Sequence, residues 1–107
     1  MSTFNRRSFQ DVFDVVAIAT ATVDPASLAD GAGATTAVTV TGAALGDFVL
    51  VAAPYDLVDV TVTAYVQAAN AVEIRVQNES GAAANLASGT WNICVLRPAS
   101  WAKEAAS

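Results

Sequence analysis

From Asp59 to Asn78 the chain reads DVTVTAYVQAANAVEIRVQN, and apolar and polar residues alternate along it. Val60, Val62, Ala64 and Val66 alternate with Thr61, Thr63, Tyr65 and Gln67. After Ala68-Ala69-Asn70, Val72, Ile74 and Val76 alternate with Glu73, Arg75 and Gln77. Successive side chains of a strand point to opposite faces, so this period predicts two half-buried β-strands. The connection ends in Asn, which tolerates the left-handed conformation, and so predicts a hairpin. Pairing Gln67 with Ala71 sets Val66 opposite Val72, Ala64 opposite Ile74 and Val62 opposite Val76. The same register sets Tyr65 opposite Glu73, Thr63 opposite Arg75 and Thr61 opposite Gln77. One face is then wholly apolar and the other wholly polar. A slip of one residue would mix the two, so the pattern defines the pairing.

Shorter stretches of the same kind lie on either side. Val15 to Val23 is rich in Val, Ile and Thr and predicts a first strand. Asp24-Pro25-Ala26-Ser27 opens a turn, and LADGAGA at 28–34 reads as a loop. Thr35 to Thr41 predicts a second strand, and GAALGD at 42–47 a connection. Phe48 to Ala53 is a nearly continuous apolar run, as expected of a central strand buried on both faces. Pro54-Tyr55-Asp56-Leu57 separates it from the hairpin. NESGAAAN at 78–85 reads as a second loop. Thr90 to Arg97 predicts the last strand, with Trp91, Ile93 and Val95 on one face, Asn92 and Cys94 on the other, and Pro98 at its end. Six or seven strands joined by short turns predict an all-β chain, a single β-sandwich or small barrel of jelly-roll or immunoglobulin-like topology. The spacing of Trp and Cys is not that of a true immunoglobulin domain.

The expected division is an N-terminal arm at 1–14, a β-sandwich domain at 15–98 and a C-terminal tail at 99–107. In the arm, Phe9, Val12, Phe13 and Val16 fall at helical spacing. Ser8 as a cap with Asp11 three residues later fits a helical turn or two up to Asp14. The competing reading is an extended arm that lays Phe4, Phe9 and Phe13 on a neighbour. Three of the four Phe residues and two of the five basic residues fall in these first fourteen positions. Aromatic side chains and Arg are the common anchors of protein interfaces. Phe4, Arg6, Arg7, Phe9 and Phe13 are therefore the candidate partner-binding residues.

Composition narrows the function. The 107 residues suit one domain. Ala supplies 24 of them and aromatics only 7%, so large core side chains are scarce and an oligomer is favoured. A net charge of −5 argues against nucleic-acid binding, which needs a basic stripe. No apolar run approaches the ~18–20 residues of a membrane helix, and Gln10, Asp11 and Asp14 interrupt any signal peptide. The chain has no His, which removes Ser-His-Asp and Cys-His nucleophiles and His-based zinc sites. The single Cys94 excludes a disulfide framework and reads as a small apolar side chain. Asp24, Asp30, Asp47, Asp56 and Asp59 all sit at turns, where acids cap backbone N–H groups. Asp56 and Asp59 lack the ligand spacing of a calcium loop, and GAGA lacks the pattern of a phosphate loop. Arg75 reads as a solvated cross-strand partner of Thr63 or Glu73. No catalytic residue, metal or cofactor is expected.

Three motifs carry a resemblance: TVTGAALGDFVLVAAPYDL, VTVTAYVQAANAVEIRVQN and NLASGTW. Over roughly residues 35 to 97 the chain resembles the small β-rich virion proteins of tailed bacteriophages. That resemblance implies a non-enzymatic capsid decoration (cement) protein. It would be made in the host cytoplasm and would sit on the outer surface of the virion, bound to the major capsid protein. It also implies a homo-oligomer, a homotrimer by preference. The alternative is a tail or fibre module that binds a host-surface or carbohydrate ligand. The family has no catalytic residues to carry over.

Overall fold

A computed structural model describes residues 12–99. Six strands appear in order: β1 (Phe13–Val23), β2 (Gly33–Thr39), β3 (Phe48–Ala52), β4 (Val60–Ala68), β5 (Ala71–Asn78) and β6 (Gly89–Pro98). They form two three-stranded antiparallel sheets, ordered β1-β6-β3 and β2-β5-β4. Only β4 and β5 are joined as a hairpin within one sheet. Each other connection carries the chain from one sheet to the other. The result is a small all-β sandwich, as the strand pattern predicts.

The core lies between the inner faces. Trp91, Ile93 and Val95 project from β6, the middle strand of one sheet. Val72, Ile74 and Val76 project from β5, the middle strand of the other, and all six are buried. Val60 and Val66 of β4, Val23 of β1 and, between strands, Leu28, Val40, Ala43, Ala84 and Leu86 complete it. Ala17, Ala19 and Ala21 of β1 pack against this cluster half-buried. Tyr55 closes one end: its ring meets Trp91 edge-on at 6.2 Å, and the Trp91 Nε1–H donates to its hydroxyl over 3.4 Å. Tyr55 in turn donates to the carbonyl of Ala87. Gly89 opens β6 beneath Pro54, where a Cβ would meet the proline ring at 2.8 Å.

The hairpin follows the predicted register from Thr61↔Gln77 to Val66↔Val72. Its closing pair differs. Ala68, not Gln67, stands opposite Ala71, with an irregularity between Val66 and Ala68. Gln67 is an extra residue in a β-bulge, and Asn70 takes the left-handed conformation at φ 64°. That conformation has a tertiary partner. Asn70 N–H donates to Ala43 O, Val40 N–H to Asn70 O, and Gly42 N–H to the Asn70 side chain, which ties the turn to the loop after β2.

Two expectations change. β1 begins at Phe13, so Phe13 and Asp14 belong to a strand rather than to a helical turn. β3 is not a central strand. It pairs with β6 alone, and its residues alternate exposed and half-buried. Phe48 and Leu50 remain 52% and 58% exposed. The apolar run reflects an apolar outer face rather than burial on both sides.

Candidate functional site

The outer face of β1-β6-β3 is built by alternation. β6 turns Trp91, Ile93 and Val95 inward, which leaves Asn92, Cys94 and Leu96 outward. Cross-strand pairing then sets three rows across the sheet: Val15–Leu96–Phe48, Ile18–Cys94–Leu50 and Thr20–Asn92–Ala52. A bulge at Val16 keeps Val15 and Ile18 on this same face although they are three residues apart. Of eight large apolar residues that stand exposed in the described chain, Val15, Ile18, Phe48 and Leu50 share this one face. Ile18 is 78% exposed. Such clustering, rather than scatter, makes this face the candidate site.

The relief of the face follows from side-chain size. Ile18 and Leu50 stand high on the edge strands, while Cys94 between them is short and half-buried. A hollow of about 210 Å³ lies between these ridges, floored by Asn92, Cys94 and Ala52. Towards the chain ends, Phe13 meets Phe48 edge-on at 5.8 Å, and Leu96 is buried in the row beside them. None of the three rows contains a charged residue.

A charged clamp fastens the end of β6 to the loop before β3. Arg97 donates from Nε and Nη2 to the two carboxylate oxygens of Asp47, each at 2.8 Å, and from Nη2 to Gly42 O at 3.2 Å. Asp47 also accepts from Ala44 N–H at 3.0 Å, so the GAALGD connection is closed on itself and onto β6. The Arg97 hydrogen bonds hold the Asp47 carboxyl below the usual carboxylate range, against the opposing effect of its burial. The same bond raises Arg97. Leu45 projects from this fastened loop, 72% exposed.

The outer face of β2-β5-β4 has different chemistry. Tyr65 donates to Glu73 at 3.0 Å, which raises the phenol above its ordinary pKa. Arg75 stands across from Thr63, as expected, and donates to Gln77 at 2.9 Å. Gln77 donates to Glu79 and to Gly31 O.

Of the residues expected to bind a partner, Phe4, Arg6, Arg7 and Phe9 lie outside the described residues. Phe13 stands at the corner of the apolar face. Three of the turn acids play backbone roles. Asp30 accepts from Gly81 N–H, Asp47 from Ala44 and Asp56 from Val58. Among the described residues, no group of His, Cys, Asp and Glu could hold a metal ion. No described helix is long and apolar enough to cross a membrane.

Sequence reasoning missed two features. Asn78 is fully buried at the end of β5. Its amide donates to Leu28 O and Ala82 O, and its carbonyl accepts from Ser80 N–H and Oγ–H, which joins the two loops near that end. Polar residues in a loop motif give no sign of such burial. The apolar face itself was the second. Its signal was present in Phe48, Leu50 and Ile18, but apolar residues in a strand suggest core before surface. No family model, curated protein or solved structure matches the chain.

Proposed function

We propose that this chain is a structural virion protein that decorates and stabilises a tailed-phage capsid, and that it assembles through the outer face of β1-β6-β3. The observation that carries this reading is the uncharged apolar face itself. Its exposed Ile, Leu, Phe and Val side chains add nothing to the core, yet a protein partner would gain roughly 1.5–3 kcal/mol for each one fully covered. The backbone beneath them is hydrogen-bonded into a sheet, so docking would order little chain. The motifs at 35–97 support the virion context by resemblance.

The tail or fibre alternative draws on Tyr65. It stands 49% exposed beside Glu73 and Arg75, a grouping of ring and polar side chains suited to a sugar. Mass spectrometry of purified particles tests the choice. Many copies per particle is the expected result. A few copies would favour the tail module, and absence from particles would overturn both.

A further inference from the structure

We infer that the outer face of β2-β5-β4 binds an acidic sugar, with Arg75 taking its carboxylate and Tyr65 and Glu73 taking its ring and hydroxyls. This inference deepens the sugar-binding reading of Tyr65 by naming the charge of the ligand, and rests on that reading.

Two opposite charges on this face do not meet. Glu73 and Arg75 lie two residues apart on β5, so both point outward, with their backbones about 7 Å apart. Each is held by something else. Tyr65 donates to Glu73 Oε2 at 3.0 Å, and Arg75 Nη2 donates to Gln77 Oε1 at 2.9 Å. Gln77 is itself fixed, because its amide donates to Gly31 O and to Glu79. Of the two described arginines, Arg97 is bound to Asp47, while Arg75 has no carboxylate within ion-pair distance. A guanidinium carries five N–H donors, and the protein uses one. The rest can take a carboxylate in the bidentate geometry that suits this group.

The position of the guanidinium is shaped from the neighbouring strand. Gly33 of β2 stands opposite Gln77. A Cβ there would collide with Gln77 Oε1 and Arg75 Nη2, so both side-chain ends lie over the glycine. Alanine at 33 would keep every charge on this face and displace the guanidinium.

The surroundings select the ligand. Pairing sets the rows Ala37–Glu73–Tyr65, Thr35–Arg75–Thr63 and Gly33–Gln77–Thr61. Arg75 thus has an exposed threonine on either side, each hydroxyl both donor and acceptor. The half-exposed Tyr65 ring stands diagonal to Arg75, at about 7–8 Å between backbones. That span is close to the width of one sugar ring. A ring laid on Tyr65 can direct a carboxylate to Arg75 and a hydroxyl to Glu73 Oε1, which accepts nothing from the protein. A neutral sugar would leave Arg75 without a counter-charge. A simple anion would make no use of Tyr65 or Glu73. The chain's net charge of −5 repels anions at a distance, so recognition is short-range and the expected Kd is about 0.1–1 mM.

Titration of the full chain with trigalacturonic acid, followed by NMR shifts at Tyr65, Glu73 and Arg75, tests the site. Its methyl ester has the same rings without the charge, and acetate has the charge without the rings. Saturable binding of the acid is expected, with the ester and acetate each weaker by about tenfold or more. Arg75→Gln, at an exposed position, should keep the wild-type Tm and reduce affinity for the acid to that for the ester. Gly33→Ala should also weaken the acid while leaving the ester unchanged, which a loss of charge cannot explain. Acetate binding as tightly as the trisaccharide, or affinity indifferent to Arg75→Gln or to Gly33→Ala, would overturn the inference. Acid and ester bound alike, and both lost in Tyr65→Ala, would keep the sugar reading and overturn the acidic ligand. Neither bound at 10-fold above that Kd would overturn both.

Discussion

On the outer face of β2-β5-β4, Thr61, Thr63 and Tyr65 stand across from Gln77, Arg75 and Glu73; on that of β1-β6-β3, Ile18 and Leu50 flank Cys94. The inner faces of the same two sheets are chemically alike, with Val and Ile at most positions and Trp91 as the one large aromatic. Folding requires the inner likeness, because both faces line one core. It does not require the outer difference. A polar outer face is the ordinary arrangement for an antiparallel sheet in water. The apolar one keeps large side chains in solvent, which is the arrangement a second protein surface would complete.

The largest test concerns the inner likeness. Ile74 is 1% exposed on β5, and Ile93 is 1% exposed on β6. Ile74→Ala and Ile93→Ala should each cost roughly 2–5 kcal/mol, read from denaturant midpoints at a constant slope. A midpoint unchanged in either variant would mean that its sheet does not face the shared core.

A smaller effect is expected at the Arg97–Asp47 clamp that fastens the end of β6. The Asp47 carboxyl titrates below its ordinary value of 3.8, held there first by the Arg97 hydrogen bonds. A carboxyl depressed in the folded state stabilises the fold above its unfolded pKa. That stability fades as pH falls from about 3.8 through the lower folded value. Asp47→Asn should therefore melt below the wild type at neutral pH, and the gap should close in strong acid. A gap that stays constant from pH 7 to pH 2 would show that the clamp is not ionic.

The smallest stability effects should come from the outer faces themselves. Leu50→Thr and Thr63→Ala should each change stability by no more than about 0.5 kcal/mol. They should differ in surface behaviour. Leu50→Thr should reduce fluorescence of the apolar dye ANS in the presence of native protein, and Thr63→Ala should leave it unchanged. Destabilisation by Leu50→Thr comparable to a core substitution would make this face part of the fold rather than a place for a partner.

Much of the sandwich was legible because period-two alternation is a local property. The β4–β5 register follows from six apolar–apolar and polar–polar pairs that a slip of one residue would mix, together with the short turn that closes the hairpin. The turn between Leu57 and Val60 was not legible. Val58 and Asp59 both take positive φ, at 45° and 69°, and Val60 N–H closes the turn onto Leu57 O. Such a turn usually announces itself by Asn-Gly, and a β-branched Val there gives no signal. Of the expected binding residues, only Phe13 lies among the described ones. Phe13 lies on the candidate face, but its neighbours Ile18, Phe48 and Leu50 carry most of that surface and read as core along the chain.

The reason lies in what each level of description contains. Alternation along the chain determined which residues share a face and where strands pair in the hairpin, and composition alone showed that the chain offers no histidine. It carried no information on which of two apolar faces turns inward. That choice was made by the pairing of β3 with β6 alone and by the closing of β2-β5-β4 over Trp91, Ile93 and Val95. A sandwich has two inner faces to bury, and only the order of strands across sheets decides which side of Phe48–Ala52 is left to the water.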